Sequence, residues 1–394
     1  MTTLVQQKVE QAVSILEEKG VDLWLTFVRE TIAAGDPVLP LIYGHNLTWQ
    51  SALILARHGD RIAIVGAFEA DTARETGAYT EVIPYHEAFS PVLLQTLERL
   101  NPNQIAINYS LNDVHADGLT HGMHQLLTRY LAGTPWIDRL TSAEEILGAL
   151  RGRKLPEEVA RLRRAIATAE EIFRLTFAAV RPGITEREIA AFMHRQVTQR
   201  GLETAWELAH CPIVNAGPYS PVGHVQPGEI RLEPGHLLHI DFGVKQEDFC
   251  SDMQRVAYLQ PAGGSDIPRE IQHAFDAVRK AIETAVEVMR PGLRGVDVDS
   301  AARQVMVEAG YPEYKYGTGH HLGRTVHDGA GILGPLWERY GETPTFRLET
   351  GHVYTVEPGV AVSGYGYMGL EEVVLVTENG AEFLSTPQEQ LILL

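Results

Sequence analysis

Apolar positions at helical spacing open the chain: Val5, Val9, Ala12, Val13 and Leu16 approximate one face of an amphipathic helix over residues 1 to about 20. The period then shortens. Asp22 to Val28, Ala52 to Arg57, Ile62 to Val65 and Ile105 to Asn108 read as short strands between helical or polar stretches, which predicts a mixed α/β domain. Ser142 followed by Glu144 and Glu145 has the form of a helix start. Lys154-Leu155-Pro156-Glu157-Glu158 opens a longer helix, with Pro156 and the two glutamates suited to its first turn. The pattern changes near 150, so the chain divides into domains 1–150 and 151–394. Beyond, Leu237 to Phe242 is mostly apolar and carries no formal charge until Asp241; after a Gly-containing break the chain runs on to Asp252. Two strands joined by a hairpin are expected there, with Asp241 and Asp252 near one another in a core-like segment.

The second domain contains an internal repeat. Val180-Arg-Pro-Gly-Ile-Thr-Glu-Arg-Glu-Ile189 matches Met289-Arg-Pro-Gly-Leu-Arg-Gly-Val-Asp-Val298, each after a long helical segment and each opening another helix. At the same offset Gly201 falls on Gly310, where that next helix should end. A shared helix stop alone could explain Arg-Pro-Gly, but strands with ligand-type residues follow both copies. A duplicated domain whose halves face each other across one site is the reading.

Composition narrows the function. The chain has 394 residues and a net charge of −18, so it repels phosphate backbones and nucleic acid is not an expected partner. Cys211 and Cys250 are the only cysteines, too few for a disulfide framework. Charged residues from Lys8 to Lys19 interrupt any signal-peptide core, and no uncharged run approaches the roughly 18 residues of a membrane span. A cytoplasmic protein with no membrane partner is expected.

The candidate chemistry lies in five residues. Asp241 and Asp252 close the first half; His320, then Glu357 in Tyr-Thr-Val-Glu-Pro-Gly, then Glu371 in Gly-Leu-Glu-Glu-Val-Val-Leu-Val close the second, with Glu357 read as lying in an apolar strand and Glu371 as beginning one. A single carboxylate in a strand is usually half of a structural ion pair. Four with one imidazole are too acidic to be buried without cations, and two divalent metals bridged by carboxylates would neutralise them. The oxygen-rich set favours manganese, cobalt or iron over the thiolate sites of structural zinc.

Asp241-Phe-Gly, Ser251-Asp252-Met, Gly319-His320 with His327 seven residues on, Val356-Glu357-Pro-Gly and Leu370-Glu371-Glu372 together resemble the successive motifs of the pita-bread metallopeptidases. Within that group the chain is most similar to the Xaa-Pro branch, prolidase (Xaa-Pro dipeptidase) and aminopeptidase P. The resemblance is strong from about 150 to 394. It implies an α+β fold, a pita-bread (creatinase/aminopeptidase) catalytic domain preceded by a creatinase-type mixed α/β domain, and a homodimer.

The resemblance further implies two divalent metal ions, manganese first, with cobalt, iron or zinc as alternatives. Asp241 would hold one, Asp252 and Glu371 would bridge both, and His320 and Glu357 would complete the other. The implied reaction is hydrolysis of an Xaa-Pro imido bond by hydroxide held between the metals, with Glu357 as general base and His224 and His327 as catalytic, substrate-contacting histidines. The substrate is a proline-containing di- or oligopeptide, a dipeptide by preference. Arg324 and His321 are the candidates for its carboxylate, Asp36 for its amino group, and Tyr367 for part of a missing arginine. That arginine, common two residues before the last metal glutamate, is Gly369 here; Gln254, His321 and Tyr316 also stand where the family usually has Thr, a small residue and His. The alternatives are aminopeptidase P acting on longer peptides, amidohydrolysis of a small non-peptide substrate, and a non-hydrolytic binding module on the same fold.

Overall fold

A computed structural model describes residues 2–264, 266–329 and 331–394. The chain forms two compact units, Met1–Arg151 and Gly152–Leu394.

The first unit is built on one sheet. Strands β1 (Leu23–Val28), β2 (Ser51–Ala56), β3 (Arg61–Gly66), β4 (Glu81–Tyr85), β5 (Ile105–Ile107) and β6 (Leu140–Ser142) lie in the order β4-β3-β2-β1-β5-β6. The β1–β2 and β2–β3 pairs are antiparallel and the other three parallel. Strand β1 is buried at every position because helices cover both faces. Trp24 and Val28 enter a core with Ile15 and Leu16 of helix Leu4–Lys19. Leu23, Leu25 and Phe27 enter another with Leu93, Leu97, Met123 and Leu127 of helices Phe89–Leu100 and His121–Leu131. The sequence pattern missed β4 and β6. Both are edge strands, one containing Pro84 and half-exposed, the other three residues long, so neither carries a buried apolar run.

The second unit shows its duplication in backbone geometry. Helices Pro156–Ala179 and Glu186–Gln199 correspond to Arg269–Val288 and Gly295–Glu308. Gly183 and Gly292 between them have φ of 81° and 88°, which a side chain would strain. Each also donates its N–H to a later segment, Gly183 to Leu232 O at 2.7 Å and Gly292 to Leu348 O at 2.8 Å. The bridges Thr185↔Arg231 and Arg294↔Arg347 repeat the correspondence. The repeat therefore extends past the matching residues into strand pairing that spacing alone does not reveal.

Strands β7 (Glu203–Thr204), β8 (Ile213–Ala216), β9 (Leu237–Phe242), β10 (Val244–Gln246), β11 (Phe249–Cys250) and β12 (Met253–Tyr258) follow the first helix pair; β13 (Gly319–His320), β14 (Ile332–Leu333), β15 (Val353–Val356), β16 (Gly359–Val362), β17 (Gly366–Gly369), β18 (Glu372–Thr377), β19 (Gly380–Phe383) and β20 (Ile392–Leu393) follow the second. The sheets run β20-β12-β9-β8, β11-β10-β7, β15-β18-β19, β13-β14 and β16-β17. The expected hairpin is more elaborate than two strands. Strand β9 pairs antiparallel with β12, and a small β10–β11 hairpin is inserted between them, turning at Glu247 and Asp248 with φ of 51° and 67°. Gly243 lets its arms close, because a Cβ there would lie 1.9 Å from Ser251 O. Asp241 and Asp252 flank that close approach. Glu357 and Glu371, read as strand residues, instead sit just after β15 and just before β18. Pro358 has no N–H to continue a ladder, and the backbone N–H groups of Glu357 and Glu371 are redirected to Thr318 O and Gln254 O.

Candidate active site

A cavity of about 400 Å³ in the second unit is lined by Asp241, Asp252, His320, Glu357 and Glu371. Asp252, His320 and Glu371 each offer a ligand atom within 4.8 Å of the others. His320 Nδ1 donates to its neighbour's carbonyl, His321 O, at 3.1 Å, which points its Nε2 lone pair into the cavity. That nitrogen lies 3.7 Å from Asp252 Oδ2 and 3.5 Å from Glu357 Oε1.

Without cations the four acids cannot all ionise. Burial, with repulsion from neighbouring acids added, pushes Asp252, Glu357 and Glu371 well above the usual carboxylate range. Burial raises Asp241 to about 7, opposed by a hydrogen bond with Asp252. Burial, with His327 beside it, lowers His320 to about 3, so the imidazole is a neutral ligand-type base. Asp241 Oδ1 and Glu371 Oε1 are buried with no hydrogen-bond partner among the described residues. Orphaned oxygens beside an open imidazole lone pair fit the donor set of hard divalent cations.

Buried polar anchors hold the surrounding segments. Arg255 donates to Glu371 O at 2.9 Å and to Glu372 Oε2 at 3.0 Å, clamping the backbone at Glu371. Asp299 Oδ1 accepts from Thr318 N and Oγ1 and is paired with Arg303, which steadies the approach to His320. Lys154 pairs with Asp328 at 2.9 Å, both side chains almost wholly buried, behind the loop that carries His327.

His224 and His327 both line the same cavity, each exposed to it. The His327 ring packs edge-on against His320 at 4.4 Å between centroids. The other substrate candidates are placed differently. His321 is 3% exposed and turned away from His320 by strand alternation, its ring against Tyr354 at 4.1 Å and His352 at 4.6 Å, so it has no face for a carboxylate. Arg324 is drawn to the Asp248 carboxylate at 3.6 Å and lies over the Phe249 ring at 5.2 Å. Tyr367 does not line the cavity; its hydroxyl is 2.6 Å from Tyr316 and its ring packs on His239 at 5.0 Å. Asp36, in the first unit, is 3% exposed, with one oxygen taking Val38 N at 3.0 Å and the other Asn108 Nδ2 at 2.7 Å. That carboxylate closes its own turn and is not available to a substrate amine.

Sequence reasoning missed Trp206, Glu207, His210, Ile213 and Val326, which line the rest of the cavity. Trp206 to His210 has no periodicity to mark it. His239 and Asp241 stand two apart on the same face of β9, a signal that strand alternation carries. Both His239 nitrogens are engaged, Nδ1 with Asn215 Oδ1 and Nε2 with Gln254 Oε1, each at 2.9 Å. Gln254 reaches on to Glu357 Oε2 at 3.1 Å.

Fold and donor set together define a class, the carboxylate-rich sites used by divalent-metal hydrolases. The chain belongs to metallopeptidase family M24, whose sequence profile matches residues 160–378. It is 27% identical over 337 residues to an uncharacterised peptidase of Staphylococcus saprophyticus, covering 85% of this chain and 87% of that one. Its fold matches a Xaa-Pro dipeptidase from Bacillus anthracis with a TM-score of 0.74 at 22% identity, covering 99% of this chain and 100% of that one. An X-Pro aminopeptidase from Thermotoga maritima matches with a TM-score of 0.70 at 23% identity, covering 98% and 99%. The duplicated unit thus has the pita-bread fold, preceded by a mixed α/β domain, as the motifs implied. Among the described residues no helix is long and apolar enough to cross a membrane.

Proposed function

We propose that this chain is a metal-dependent Xaa-Pro peptidase that hydrolyses the imido bond before proline, with dipeptides as the first substrate class. One observation carries the reading: four carboxylates and His320 converge on one cavity while Asp241 Oδ1 and Glu371 Oε1 have no hydrogen-bond partner among the described residues. Asp241, Asp252, His320, Glu357 and Glu371 would hold the divalent ions. The ions would supply Lewis acidity and make water a nucleophile at neutral pH.

The chain's own groups do the rest. Glu357 accepts the water proton at Oε1, the oxygen facing His320, because Oε2 is held by Gln254. His224 and His327 donate to the scissile carbonyl oxygen as it gains negative charge. Glu357 then returns the proton to the departing proline nitrogen. Trp206, Ile213 and Val326 offer apolar walls for the proline ring, and Glu207 offers a carboxylate for the substrate's ammonium group. Manganese is the first metal to test, and a cytoplasmic homodimer of two-domain chains, with the boundary near 150, goes with this reading.

A second reading has its own support. Among the described residues lining the cavity there is no Arg or Lys, so a free proline carboxylate would meet only His210, His224 and His327. That favours longer Xaa-Pro-Xaa peptides, as for aminopeptidase P. The deciding experiment is proline release from Ala-Pro beside alanine release from Ala-Pro-Ala, using metal-stripped protein with and without manganese. Metal-dependent cleavage of Ala-Pro alone supports the dipeptidase, and cleavage of the tripeptide supports the aminopeptidase. Cleavage of neither removes the Xaa-Pro reading in favour of a non-peptide substrate or a binding role.

A further inference from the structure

One line of hydrogen bonds leaves Glu357 and ends on the loop that carries His224. Gln254 joins Glu357 Oε2 to His239 Nε2, and His239 Nδ1 meets Asn215 Oδ1. Asn215 Nδ2 donates to Pro221 O at 2.9 Å, three residues before His224. All three intermediates are buried, at 3% exposure for Asn215, 4% for His239 and 7% for Gln254. Strand register builds the line: Asn215 pairs with His239 across β8–β9 and Asp241 with Gln254 across β9–β12, which puts these side chains on one face.

The line is packed as well as bonded. The Tyr367 ring stands edge-on to His239 at 5.0 Å, and its hydroxyl is held by Tyr316. At Gly369 a Cβ would lie 2.6 Å from Gln254 Oε1, 2.7 Å from His239 Nε2 and 2.7 Å from Tyr367 Cε1. The space beside Glu357 is filled by these three side chains, and no other can enter from position 369. Gln254 spans the gap between the ring and Glu357.

We propose that Asn215, His239 and Gln254 are positioning residues that couple the placement of the 217–228 loop, and so of His224, to the orientation of the Glu357 carboxylate. The kinetic consequence rests on the peptidase reading; the mechanical one does not. Breaking the line near Glu357 must loosen a loop to which the Gln254 side chain makes no hydrogen bond among the described residues.

The test uses the full chain and two kinds of readout. Tyr219 in the loop is 81% exposed and followed by Ser220, so chymotrypsin cleavage there, followed by mass spectrometry, reports loop mobility without any metal or substrate. Asn215→Ala, which cuts the tie to Pro221, sets the scale and should speed cleavage about threefold. Gln254→Met keeps length and volume and loses both polar atoms; it should speed Tyr219 cleavage comparably and lower kcat on the cleaved Xaa-Pro peptide about tenfold with KM within about twofold. Asn215→Ala should instead raise KM. His239→Phe fills the ring volume without its nitrogens and asks the same question if Gln254→Met fails to fold. Tyr219 cleavage at the wild-type rate in both Gln254→Met and His239→Phe overturns the coupling. Faster Tyr219 cleavage in a protein whose wild type hydrolyses no Xaa-Pro peptide keeps the coupling and removes the peptidase reading.

Discussion

At position 369 a single hydrogen stands where a side chain has no room. Gln254, His239 and Tyr367 would each lie under 3.0 Å from a Cβ there, and two of them belong to β-strand neighbours that cannot retreat without losing partners. Gly369→Ala should therefore destabilise the protein by about 1–3 kcal/mol through overpacking. It should also lower kcat by moving Gln254 off Glu357. Urea unfolding beside steady-state kinetics checks both; wild-type values for the two together would mean the three side chains yield freely. His321 departs from the family pattern in the opposite direction, toward bulk. The ring is accommodated because it lies against Tyr354 and His352, with Gly329 and Gly331 leaving the space beside it. Residue exchanges at this site are thus understood only with the neighbours that occupy the vacated or invaded volume.

At the scale of elements, the site depends on how loops are tied to the duplicated helices. Glu186, in the first turn of helix Glu186–Gln199, is 3% exposed and accepts from Ala216 N at 3.2 Å, from Gly228 N at 2.9 Å and from the Ser220 hydroxyl. It pins both ends of the loop that carries His224. Glu186→Ala takes the acceptor from the buried Ser220 hydroxyl and from Gly228 N, while Ala216 N keeps Ser220 Oγ at 2.8 Å; this should cost about 1–3 kcal/mol in urea unfolding, and it should raise KM more than it lowers kcat. Glu186→Gln, which keeps one acceptor, should lose less on both counts. A loss equal to that of the alanine variant would show that the charge at the helix start, and not the loop anchoring, matters. Glu357 and Glu371 belong to the same scale. Both sit where a strand has just ended or not yet begun, so their backbones turn while flanking strands fix their position.

For the whole molecule the main consequence is a stability that depends on pH and metal. The acids of the site have folded-state pKa values raised by burial, so above about pH 4, where unfolded carboxylates lose their protons, the native state holds more protons than the unfolded one. Stability of the metal-stripped protein should then fall as pH rises. Asp241, at about 7, contributes a loss that begins near pH 4 and is complete just above 7, and the other three, also raised, add to the fall. Divalent manganese should restore stability, and more at pH 8 than at pH 5, because the ligands must be deprotonated to bind it. Thermal melts across pH with and without the metal check this. A melting temperature for stripped protein that rises between pH 5 and 8 would contradict the burial of these acids.

Much of this protein was legible from its residues in order. Apolar runs such as Leu23–Val28 and Leu237–Phe242 announce buried strands, the Arg-Pro-Gly repeat announces a duplication, and acids inside such runs announce chemistry, because an ionised group cannot be buried alone. These are local facts, carried by residue type and spacing. What only the tertiary structure decided is which side chains face one another. Edge strands β4 and β6 lack the burial that leaves a pattern, so they were invisible. Arg324, His321 and Asp36 have the right chemistry for substrate, but Asp248, the Tyr354–His352 pair and the Asn108–Val38 turn hold them instead. Glu207, His210, His239 and Asn215 have no motif at all. They meet because antiparallel register sets residues far apart in the chain side by side, and register is settled by packing across the sheet, which no spacing along one strand encodes.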